Sequence, residues 1–159
     1  MKTVVLITAI LCLVLATGAV AHEHGDEQEC ELQSAHGQKV ENPAKCWNCG
    51  MDRTAFAASR VLITFADGTT VGTCSINCAH DAVSRNSSKK IISIKVADYA
   101  GKKLIDAKKV IWVIGGRKQG VMSATAKWAF SDKAGAERFI KENDGRIATF
   151  DEAWKAAAQ

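Results

Sequence analysis

The 159-residue sequence has one proline, Pro43, one tyrosine and four histidines. Aromatic side chains make up 6% of it, and its 21 lysines and arginines are spread along the chain rather than interleaved with them. That distribution leaves no nucleic-acid footprint, and the formal charge of +4 is modest. No histidine, aspartate and serine fall into a hydrolytic arrangement, so an enzyme is not expected. The glycine-rich stretch Gly115-Gly116-Arg117-Lys118-Gln119-Gly120 lacks the lysine–serine/threonine ending of a phosphate-binding loop. No strict sequence repeat is present. The one long apolar run is not followed by the basic cluster that stops a chain in a membrane.

That run lies at the start. Met1-Lys2-Thr3 is a short basic segment, Val4 to Ala16 is almost wholly apolar, and Gly18-Ala19-Val20-Ala21 ends in an Ala-x-Ala cleavage pattern. Residues 1–21 therefore read as a signal peptide cut after Ala21, and the protein as exported, with a periplasmic location. Cys12 follows Leu11, whereas a lipid-attachment cysteine follows a small residue, so membrane attachment after cleavage is not expected. Residues 22–45 are polar and acidic and read as a flexible leader. The new N-terminus, His22-Glu23-His24, has the amine, amides and third-position imidazole of a copper(II) chelate, to which His36 could add a ligand, but it reads first as plain polar leader. Residues 46–159 form the expected domain. A composition 47% apolar and 24% charged is that of a globular protein.

Within the domain the pattern is α+β. Arg60 to Phe65 is β-rich, Asp67-Gly68 is a hairpin turn, and Thr69 to Cys74 is the return strand. Ser75 can cap a helix running to Val83. After a polar break at residues 85–90 a similar order follows. Residues 91–96 alternate as a strand, 104–107 make a short strand or turn, and 109–114 and 127–130 are extended. Asp132 to Asn143 is a helix begun by Ser131, with Ala136, Phe139 and Ile140 on one face. Residues 146–150 form a last strand, and Asp151 caps a terminal helix carrying Trp154. The order predicts two small hairpin-plus-helix modules of ββα type, about 46–90 and 91–159.

Six cysteines are present, and five remain after cleavage at Ala21. An odd number cannot pair completely within one chain. Cys30 lies in the acidic leader without an obvious partner. The other four form Cys46-Trp47-Asn48-Cys49 and Cys74-Ser75-Ile76-Asn77-Cys78. The tight turn of a C-x-x-C element points both sulfurs at one ion, and Gly50 can supply the positive φ that such a knuckle needs. Cys74 and Cys78, four apart, face the same side of a helix mouth, where the helix N-terminus favours thiolate. Four thiolates suit tetrahedral zinc(II). Thiolate with thioether suits copper(I), and Met51 follows Cys49 by two residues. Two disulfides in an oxidising compartment and a dithiol oxidoreductase are the competing readings. Four sulfurs within about 4 Å of one another would mark one metal site, and two separate close pairs would not. His80, two residues past Cys78, projects from another side of the helix and reads as a surface or capping residue. Met122, after the glycine-rich loop, reads as a core filler beneath it.

Cys46-Trp47-Asn48-Cys49-Gly50-Met51, the Val61–Phe65 hairpin with Asp67-Gly68, and Gly116 to Gly120 followed by Val121-Met122 together resemble the NosL family. Ala129-Phe130, Ala136-Glu137-Arg138-Phe139, Asp144-Gly145-Arg146 and Phe150-Asp151-Glu152 continue the resemblance, which runs from about Cys46 to Trp154. It implies a periplasmic copper(I) chaperone, often lipid-anchored in that family, that helps to assemble the copper–sulfide centre of nitrous oxide reductase, and a fold of two small ββα-type modules. It also implies Cys49, Met51 and Met122 as copper ligands, which raises Met122 above the core-filler reading. The Cys74/Cys78 pair is not expected of every member and opens a four-thiolate site. The expected partners are the metal ion and a client metalloenzyme or other copper-transfer protein.

Overall fold

The computed structural model describes residues 40–158. The signal segment, the leader up to residue 39, and Cys12, Cys30, His22, His24 and His36 lie outside the described residues. No described helix is long and apolar enough to cross a membrane.

The fold is α+β. The Val61–Phe65 strand (β1) turns at Asp67-Gly68 into Thr70–Thr73 (β2). The turn is held by Asp67, whose Oδ1 accepts from the Thr69 N–H at 2.9 Å, while Gly68 takes φ 82°. Ser75 then caps helix α1, Ile76–Arg85. The chain returns as β3, Ile91–Ala97, which pairs antiparallel with the free side of β1, and the short β4, Leu104–Asp106, adds to β3. The second half repeats this plan. The strands Ile111–Ile114 (β5) and Lys127–Phe130 (β6) form a pair, Lys133–Asn143 (α2) follows, and Arg146–Ala148 (β7) pairs with the free side of β5. The sheet orders, β2-β1-β3-β4 and β6-β5-β7, share that scheme. Helix α3, Phe150–Ala157, closes the chain and packs on α1 and β5.

Several boundaries differ from the sequence reading. The division between the sheets falls after β4 and not at residue 90, because β3 and β4 belong to the first sheet: Val61 pairs with Val96, and Phe65 with Ile91. Nor are the halves independent, since one core takes Val61, Ile63 and Phe65 from the first sheet with Trp112, Ile114 and Ala129 from the second. Asp132 is the cap of α2, accepting from the Gly135 N–H, so the helix starts one residue later than expected. Thr149, not Asp151, caps α3. Its hydroxyl accepts from the Glu152 N–H while the Glu152 carboxylate accepts from the Thr149 N–H, a reciprocal box that ends β7 at Ala148.

The stretch just before Cys46 is held rather than loose. Val40 is buried, and Glu41 pairs with Arg53 and, at 3.0 Å, with Arg60. Arg53 is wholly buried. Its guanidinium donates to the Glu41 carbonyl at 2.9 Å, to the Thr73 and Val61 carbonyls at 3.2 Å each, and also to the Pro43 carbonyl. It lies under β2 where Gly72 has no side chain: a Cβ there would stand 2.6 Å from the guanidinium carbon.

Two predictions follow from this brace. Gly72→Ala should lose about 1–3 kcal/mol in urea denaturation, because the crowded partner is a pinned guanidinium that cannot swing aside. An unchanged midpoint would show that Arg53 is free to move. Burial pushes the Glu41 carboxyl up, but bonds from its own backbone, Arg53 and Arg60 outweigh this and hold it below its ordinary 4.5. A group depressed on folding stabilises above its unfolded value and loses that contribution as pH falls through the folded one. Wild-type stability should therefore drop below pH 4.5, and urea midpoints should fall less steeply with acid in Glu41→Gln.

Candidate metal centre

Cys46 starts a tight knuckle. Its N–H donates to the Met51 carbonyl at 2.7 Å, and its carbonyl accepts from the Gly50 N–H at 2.8 Å, with Gly50 at φ 76°. The turn is fixed to β2 by the Trp47 N–H on the Gly72 carbonyl, 2.9 Å, and by the Lys45–Asp52 bridge at its base. Cys74 lies between β2 and the Ser75 cap, with its carbonyl taking the Ser59 hydroxyl at 2.7 Å. Cys78 is the residue whose N–H bonds the Ser75 hydroxyl, so its sulfur stands at the N-terminus of α1.

These elements bring the four sulfurs together, all within 4.8 Å of one another. Cys49 Sγ is 3.6 Å from Cys74 Sγ, and Cys74 Sγ is 3.7 Å from Cys78 Sγ. The two motifs therefore meet in one cluster and do not form two separate pairs, and all four cysteines are free thiols. Cys46, Cys74 and Cys78 are buried, while Cys49 is half-buried at the outer side. Soft donors this close and this convergent fit a soft metal ion.

The cluster is electrically uneven. The hydrogen bond from the Cys74 thiol pulls Cys78 down from 9.0 to about 5, against burial and with help from the Asn48 amide and the Ser75 hydroxyl. Giving that bond, together with burial, pushes Cys74 far up. Burial also raises Cys49. Cys78 is thus the cysteine whose ionised form its surroundings favour, as the α1 dipole also would.

Met51 and Met122 lie on the open side. Both are exposed, at 39% and 47%, and both line one groove of about 620 Å³. Met122 is therefore not a core filler, and it sits at φ 55°, a left-handed backbone uncommon outside glycine. Phe56 and Val121 line the same groove and also pack against the cysteines, so the groove adjoins the cluster. His80 is not among the clustered donors; its ring packs against Trp154 at a tilt, with centroids 5.2 Å apart. Sequence reasoning did not find Arg53, the Asn48 amide beside Cys78, or the packing of Phe56 and Val121 on the cysteines. A glycine inside strand β2 was the one signal of a close approach there.

The NosL family model matches residues 37–158. Among solved structures, the copper chaperone NosL from Shewanella denitrificans matches with a TM-score of 0.57 and 20% identity, over 72% of this chain and 92% of that one. At that identity the likeness speaks for the fold alone. No curated protein matches the sequence. The matched span takes in both sheets, all three helices and all six clustered or groove-lining sulfurs, and the chain belongs to the NosL family.

Proposed function

We propose that this protein is an exported copper(I) carrier that binds the ion on its cysteine cluster and passes it to a client metalloenzyme of the nitrous oxide reductase type. The observation that carries the reading is the gradient of sulfur exposure. Buried thiols at Cys46, Cys74 and Cys78 lead to half-buried Cys49 and then to exposed Met51 and Met122. Thiolates hold copper(I) and thioethers hold it more loosely, so an ion at Cys49, Met51 and Met122 is within reach of an incoming partner thiolate. Transfer is then ligand exchange, with no change of oxidation state and no covalent bond made or broken except those to the metal. The protein acts as a carrier and not as an enzyme. Family membership and the resemblance of the C-G-M element support copper as the cargo, the client type and the periplasmic location.

Zinc(II) is the rival, because four cysteine sulfurs in one cluster also suit a closed tetrahedral site. A structural zinc ion would be needed for folding. Here the main apolar core is a separate body of residues from both sheets and from helices α1 and α3, and the cysteine cluster stands apart from it. The metal-free protein should therefore keep its far-ultraviolet circular dichroism and its cooperative unfolding after chelation under reducing conditions. Unfolding on metal removal would favour structural zinc.

Anaerobic competition against a copper(I) chelator tests the copper reading. Wild type should retain copper(I), and Cys49→Ser combined with Met122→Ala should weaken retention about tenfold or more. No uptake by wild type, or retention unchanged in the double variant, would remove the reading.

A further inference from the structure

Six soft donors are more than one copper(I) ion requires, since it is satisfied by roughly two or three sulfurs. Their arrangement is also not that of one shell. Cys46, Cys74 and Cys78 are buried, whereas Met51 and Met122 are exposed in the groove that Phe56 and Val121 also line. Cys49 belongs to the outer side by exposure, yet its sulfur is 3.6 Å from Cys74 Sγ. Cys74 Sγ is in turn 3.7 Å from Cys78 Sγ. The Cys74 sulfur thus lies in contact with both sides.

Resting on the copper(I) reading above, we propose that the protein holds two copper(I) ions at once. An inner ion sits among Cys46, Cys74 and Cys78, an outer ion sits on Cys49, Met51 and Met122, and the Cys74 thiolate is shared between them. A thiolate has the lone pairs to bridge two metal ions, and the Cys74 sulfur, 3.6 Å from Cys49 Sγ and 3.7 Å from Cys78 Sγ, is placed to do so. Charge does not oppose the second ion: three bound thiolates with one copper(I), the fourth cysteine still protonated, carry −3 + 1 = −2, and four with two carry −4 + 2 = −2. Loading is balanced ligand exchange: each copper(I) leaves its donor's ligands, each cysteine that binds gives its proton to solvent, and no electrons move. The inner ion then acts as a held reserve, and the outer one is the ion that a partner takes.

The test is an anaerobic copper(I) titration of the mature chain, residues 22–159, carrying Cys30→Ser, so that no thiol outside the cluster counts, read by native mass spectrometry in the presence of a competing chelator. Two copper ions should be retained, with copper–copper scattering in the X-ray absorption spectrum. Met51→Ala with Met122→Ala should retain one, and because both methionines are exposed this variant leaves the core intact. Cys78→Ser should also fall to one, with circular dichroism checking its fold. Saturation at a single copper overturns the inference and leaves the carrier reading standing. Binding of none overturns the carrier reading itself. Two ions retained without copper–copper scattering would overturn the shared Cys74 thiolate.

Discussion

The position of the C-x-x-C knuckle depends on one buried guanidinium. The segment from Cys46 to Met51 belongs to no strand or helix, and its one backbone bond to β2, from Trp47 to Gly72, does not by itself fix two sulfurs. Arg53 fastens it from below. Its donors reach carbonyls on the incoming chain at Glu41 and Pro43, on β1 at Val61 and on β2 at Thr73. A buried cation without an anion would be destabilising, and Glu41 supplies the anion. The arrangement therefore needs three things at once: a carboxylate ahead of the knuckle, carbonyls at the strand ends, and a residue with no side chain at Gly72. Each lies on a different segment, so the knuckle is registered against the hairpin and against Cys74, which follows Thr73 directly.

The proposed carrier role requires firm binding and ready release, and the sulfurs divide into buried and exposed sets. The firm end is built on regular structure. Cys74 follows a strand and Cys78 sits in the first turn of a capped helix, where the Cys74 thiol, the Asn48 amide and the Ser75 hydroxyl hold its pKa down. The open end is built on turns, with Met51 leaving the knuckle and Met122 on the loop between β5 and β6. Rigid donors lower the cost of binding, and exposed donors admit an exchanging partner. The apolar core shared by the two sheets is a cluster separate from the cysteines.

Much of this was legible in the sequence, and the parts that were not share a cause. The hairpin, the Ser75 cap and the two cysteine spacings are local, and each was read correctly from residues at most a few positions apart. The α3 cap was local too, but Asp151 drew attention from Thr149, although Glu152 three residues on completes a capping box there. The sheet division was not local. Residues 91–106 look like the start of a second module because they follow a helix, and only the pairing of β3 with β1 across 30 or so residues assigns them to the first. The same holds for the site. Spacing implied two cysteine pairs, whereas their union is set by β2, which delivers Cys74 to the knuckle. Arg53 has no sequence signature at all, since a lone arginine in a polar turn reads as a surface residue.

The Met122 loop has a comparable brace, and it links the two ends of the site. Lys127 at the start of β6 is buried, and burial lowers its pKa. Its ammonium has three donors and finds three acceptors: the Ser123 hydroxyl at 2.9 Å, the Thr125 carbonyl at 3.0 Å and the Asn77 Oδ1 at 3.3 Å. Ser123 and Thr125 belong to the loop just after Met122, and Asn77 precedes Cys78 on α1. Asn77 also donates to the Ala157 carbonyl at the end of α3. The loop that carries the outermost sulfur is thereby tied to the helix that carries the innermost thiolate. A positive φ at Met122 costs free energy, and a side chain held that way needs such support to persist. Lys127 therefore braces the Met122 loop against α1 through bonds to polar atoms alone.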